Sequence, residues 1–175
     1  GRPDMHPAHH SRWQVVPHKM NEAANRGGAP VGYLSELAPV EAGAVLYLRL
    51  WCENKEARSQ VWNDFAHHLG PIQGRQALGS FESLCDLCAR HGRRPLMRHH
   101  VTCKCLGADE SCFATFIGYA SEGAREDALQ MAMTLVRPDM ALMLAGLAED
   151  FGLALRRMTL ASTRRQPTTR NETLH

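Results

Sequence analysis

No stretch of the 175-residue chain is apolar for the roughly eighteen residues that a membrane-spanning helix requires. The run 44–52 contains Arg49, and the run 140–155 is broken by Glu149 and Asp150, so no transmembrane helix and no membrane partner are expected. Residues 1–19 carry four His, three Pro and two Arg without the apolar centre of a secretory signal, which points to a cytoplasmic protein. Charge of one sign is lacking as well. Twenty Lys and Arg stand against eighteen Asp and Glu, a net +2, which excludes polyanion binding through overall charge and leaves only local basic patches.

Several catalytic signatures are missing. There is no His-Glu-x-x-His pair, no His-x-Glu with a following Pro-Cys-x-x-Cys, no Gly-x-Ser-x-Gly elbow and no glycine loop suited to phosphate. The acids nearest the cysteines are Asp86, Asp109 and Glu110. The last two have a simpler task at a helix start, Asp109 as the N-cap and Glu110 in the first turn, where the helix dipole favours an anion. No residue is therefore assigned a catalytic role.

What is present suits one globular domain. With 44% apolar and 22% charged residues the composition is ordinary, and a chain of this length buries about 70% of its unfolded surface, enough for a core without staples. Residues 1–32 are rich in Gly, Pro, Asn and His and read as a tail; Met20 reads as a start, leaving residues 1–19 outside the fold. Residues 161–175 read as a basic C-terminal tail.

Between the tails, apolar period and Pro/Gly punctuation predict six helices in a domain spanning 33–160. Pro39 opens the first, with Val40, Ala44, Tyr47, Leu48 and Trp51 at helical spacing, although a strand over 45–51 also fits. Ala57, Val61, Phe65 and Leu69 mark the second, stopped at Gly70 and Pro71. The third runs from 71 to about 90 with a stripe of Leu78, Phe81, Cys85 and Cys88. Residues 93–106 have no period and read as a loop or short extended segment. Phe113, Phe116, Ile117 and Ala120 define the fourth helix, and Leu129, Ala132, Met133 and Val136 the fifth, after a break at Gly123. Pro138 opens the last, with Leu144, Ala148, Phe151 and Leu155 inward. The expected fold is all-α, an irregular bundle of about six helices with a metal-binding loop between the third and fourth.

Five of the six cysteines, with three histidines, fall within the 28 residues from Cys85 to Cys112, while Cys52 stands apart. In a reducing compartment such clustering favours metal or thiol chemistry over structural disulfides. Cys85 and Cys88, three residues apart on a helix, place two thiols on one face as half of a tetrahedral site. Cys103 and Cys105 are the first choice for the other half, from a turn near Gly107, with Cys112, His91, His99 and His100 as alternates. Zinc is the expected metal and an iron–sulfur cluster the alternative. The competing reading makes Cys85 and Cys88 small core residues continuing the Leu78 and Phe81 stripe.

From 85 to 105 five basic residues face one acid. Arg93, Arg94, Arg98 and Lys104 are the candidate contacts to nucleic acid or to an acidic protein partner. The stretches Arg93-Arg94-Pro95-Leu96 and Cys103-Lys-Cys-Leu-Gly-Ala-Asp-Glu110 resemble a pattern in small uncharacterised helical proteins of alphaproteobacteria, over at most residues 45–158, and that resemblance implies no activity. The expected function is a regulatory or adaptor protein held by structural zinc, with a protein partner. The alternatives are an iron–sulfur or thiol redox sensor and a zinc-dependent hydrolase.

Overall fold

The computed structural model describes residues 13–17 and 26–165. Six helices form among them: α1 (Pro39–Trp51), α2 (Lys55–Leu69), α3 (Pro71–His91), α4 (Ala108–Ser121), α5 (Arg125–Leu135) and α6 (Pro138–Arg165). Three of the six begin on proline, whose fixed φ suits the first helical position and whose missing N–H costs nothing there. Asn54 caps α2 by accepting from the Ala57 N–H at 2.8 Å, and Gly70 ends it. None of the described helices is long and apolar enough to cross a membrane.

The periodic apolar residues converge as a bundle core. Leu48 of α1, Phe65 of α2, Phe81 and Leu84 of α3, Ile117 of α4 and Leu144 and Phe151 of α6 are all fully buried. Phe81 and Phe151 stack with centroids 4.5 Å apart, which joins α3 to α6 through the centre. Each such side chain contributes roughly 1.5–3 kcal/mol by leaving water. Met133, expected on the inward stripe of α5, is instead 40% exposed.

The segment between α3 and α4 is extended where it meets the N-terminal residues. Strand β1 (Gln14–Val15) runs parallel to β3 (Met97–Arg98), and β2 (Pro30–Tyr33) pairs antiparallel with β4 (Cys105–Gly107). The Gln14 N–H donates to the Leu96 carbonyl and the Val16 N–H to that of Arg98, each at 2.8 Å. Trp13 is buried edge-on against Phe113 of α4, centroids 5.6 Å apart. Residues 13–17 and 26–33, which composition assigns to a tail, thus carry ordered structure, because the 93–106 segment has open strand edges and α4 an apolar face to cover. At the other end, α6 continues through Arg165 into the expected C-terminal tail. The remaining tail residues lie outside those described.

Candidate functional site

The segment from Met97 to Glu110 is organised by one ion pair that sequence reading missed. Arg49, the residue that interrupts the apolar run of α1, is fully buried, and so is Glu110. The guanidinium donates to both carboxylate oxygens, Nε to Oε2 at 2.7 Å and Nη2 to Oε1 at 2.8 Å. Its remaining donors reach the Cys103 and Cys105 carbonyls, both at 2.7 Å. Glu110 in turn accepts the His99 and Gly107 N–H groups at 3.0 Å. A buried pair persists only when its other valences are met, and here they are met by the backbone of the segment that leads through Cys103 into β4. Burial alone would raise the Glu110 carboxyl, but the hydrogen bonds from Arg49, Gly107 and His99 and the charge of Arg49 hold it below the ordinary carboxylate value.

Asp109 does the same work one residue earlier. It is not the N-cap of α4, which is Gly107. Its buried carboxylate accepts the Met97 N–H at 2.8 Å and takes both terminal nitrogens of Arg94. Gly27 lies so close to this pair that a Cβ there would collide with the Asp109 carboxylate. The two acids therefore anchor the preceding loop from inside, a task beyond favouring the helix dipole.

On this platform Cys103, which closes a turn from His100, and Cys105, the first residue of β4, are separated by Lys104 alone. The Cys105 thiol is pushed up first by the charge of Cys103, with burial and the neighbouring Cys103 thiol adding and Arg49 opposing. Behind Cys103 sits His99, whose Nδ1 is 3.8 Å from the Cys103 sulfur and whose Nε2 is 2.9 Å from the Gly28 carbonyl. A carbonyl only accepts, so Nε2 carries the proton and, in the neutral ring, Nδ1 is the acceptor that faces the thiol. The ring fits only because position 107 is glycine: a Cβ there would stand 2.9 Å from His99 Cδ2. A cleft of about 580 Å³ opens beside Cys103 and His99.

The other cysteines occupy a different environment. Cys85 and Cys88 do share a face of α3, as their spacing predicts, but it is the core face, 5% and 1% exposed. Burial first, then the charges of Cys52 and Cys88, raises the Cys85 thiol well above its ordinary value. Burial followed by Cys52 pushes Cys88 up to about 12. Cys52, set apart in sequence, is therefore their spatial neighbour at the end of α1. Cys112 lies partly buried on α4, its thiol raised by burial and by Asp109. Among the described residues, which include all six cysteines, there is no disulfide, and no three His, Cys, Asp or Glu side chains are grouped as a metal ion needs. The expected set of Cys85, Cys88, Cys103 and Cys105 is thus not brought together. His91 lies against Arg137 at 3.1 Å, and His100 is exposed beside the cleft.

The basic loop is also less open than its composition implies. Arg98 is buried, donating to the Cys52 carbonyl at 3.2 Å and 3.6 Å from Glu53. Arg94 is committed to Asp109, and the exposed Arg93 donates its Nε to the Met133 carbonyl. Lys104 is exposed between the two cysteines, just before β4. Two of the four expected phosphate contacts thus hold the loop instead. Compared with protein-family models, with curated proteins and with solved structures, the chain matches none, so the chemistry of the site rests on its own geometry.

Proposed function

We propose that this protein is a thiol-redox module whose reactive pair is Cys103 and Cys105. The observation that carries the reading is a pair of partly exposed thiols one residue apart, on a segment whose two cysteine carbonyls are held by the buried Arg49 and whose Cys103 sulfur lies 3.8 Å from His99 Nδ1. A disulfide needs a Cα separation of roughly 4.4–6.8 Å, and the single residue between Cys103 and Cys105 keeps the two close along the chain. His99, fixed by Gly28, supplies a base for the Cys103 proton, an arrangement of nucleophile, base and orienting group. On oxidation both S–H bonds break and one S–S bond forms. Two protons leave, and two electrons pass to an oxidant of the hydroperoxide or disulfide class. Cys52, Cys85 and Cys88 take no part: all three are buried, and burial holds the Cys85 and Cys88 thiols protonated, which makes them poor nucleophiles.

The test is oxidation of the reduced protein with diamide followed by peptide mapping. The expected product is a disulfide between Cys103 and Cys105 that dithiothreitol reverses. A map with no such bond overturns the reading. One tightly held zinc per chain that shields this pair from alkylation would favour the structural-zinc adaptor instead.

A further inference from the structure

The cleft beside Cys103 has the dimensions of a small-molecule site. At about 580 Å³ it lies within the range of roughly 300–1,000 Å³ that binding pockets span, whereas a peroxide of near-water size occupies only about 30 Å³. Val16, Pro17 and Pro30 form an apolar wall, supplied by the two N-terminal segments that pair with β3 and β4. His99, His100 and Thr102 make the polar side. Among the described residues none that lines it is acidic, and Arg26 and Lys104, each next to or close to the lining in sequence, are exposed cations. Cys103 lines the cleft and Cys105 does not. Substrate entering here therefore meets Cys103 first, with Cys105 behind it as the resolving thiol.

From these features we infer that the cleft binds a carboxylate-bearing, low-molecular-weight disulfide, an inference that rests on the thiol-redox reading above. The Cys103 thiolate attacks one sulfur of the bound disulfide, the S–S bond breaks, and the distal half leaves as a thiolate that takes up a proton. Cys103 then carries the proximal half as a mixed disulfide. Cys105, losing its proton, attacks the Cys103 sulfur and releases that half as a second thiol. The substrate gains the two electrons that the Cys103 and Cys105 dithiol loses.

The experiment uses the full chain with Cys105→Ser, which stops the reaction at the mixed disulfide. The variant is exposed separately to glutathione disulfide, 2-hydroxyethyl disulfide and cystamine, each rate being divided by that of free cysteine with the same reagent. The expected result is an adduct on Cys103 alone, formed about tenfold faster from the anionic reagent than from cationic cystamine, as one charge-assisted hydrogen bond provides. S-methylglutathione, which cannot react, is expected to slow alkylation of Cys103 by iodoacetamide in the unmodified protein. Equal normalised rates together with no protection overturn the inference. So does faster reaction with a disulfide-bearing unfolded polypeptide, which would make the substrate a protein. Neither failure touches diamide closure of the Cys103 and Cys105 bond, so loss of the cleft assignment is distinguishable from loss of the redox reading.

Discussion

The trio Cys52, Cys85 and Cys88 and the pair Cys103 and Cys105 use the same side chain in opposite surroundings. The trio sits where α1 ends against α3, packed among apolar residues, with Cys85 and Cys88 driven toward the protonated form first by burial. The pair sits on a half-exposed segment entering β4 whose backbone, not its thiols, is engaged by a buried charge. Burial makes a cysteine a small hydrophobe, while a held turn leaves its thiol available for chemistry. A helix spacing of three residues therefore says that two thiols share a face, and only packing says whether that face is a site.

The largest expected effect falls on the platform beneath the pair. Arg49→Met leaves Glu110 buried without its partner and should cost about 3–5 kcal/mol in urea denaturation. Adding Glu110→Leu should return much of that loss, because replacing both charges removes the uncompensated one. A single variant as stable as the parent would mean that the turn does not depend on this ion pair.

Acid offers a second way to separate the regions. Glu110 is held below its ordinary value in the folded state, so its contribution is complete above the unfolded carboxyl pKa of about 4.3. It is lost as pH falls through the lower folded value, since the unfolded chain then binds the proton more readily. Stability measured across that range should drop more steeply in the parent than in Glu110→Gln. Parallel curves would remove Glu110 from the account.

One chemical change made in both places sharpens the contrast. Cys88→Ser puts a hydroxyl into a site 1% exposed and should destabilise by about 1–3 kcal/mol. Cys105→Ser, at the partly exposed start of β4, should stay within about 0.5 kcal/mol. Equal costs would show that the two environments differ less than their burial indicates.

Much of the helical frame was legible in the sequence, because apolar residues at helical spacing bounded by proline or glycine leave few alternatives. Pro39, Pro71 and Pro138 all begin helices where expected. The short pairings of Gln14–Val15 and Pro30–Tyr33 were not legible, since strands of two and four residues carry no measurable period and owe their form to the loop they cover. Arg49 was visible only as an interruption of an apolar run. That interruption was the signal available, because a charge inside a core-facing helix is tolerated only with a buried partner. Glu110 could not be named as that partner from spacing, being 61 residues away. Likewise the thiol cluster was legible as a cluster, but its division into a core trio and a surface pair depends on Cys52 returning to α3 in space.

Residue-resolved alkylation of the native, reduced protein tests the central contrast most directly. With limiting iodoacetamide and quantification by mass spectrometry, Cys103 should be modified first, and Cys52, Cys85 and Cys88 only at the rate of unfolding. Labelling of Cys85 or Cys88 in the native state as fast as Cys103 would contradict the assignment of reactivity to the turn.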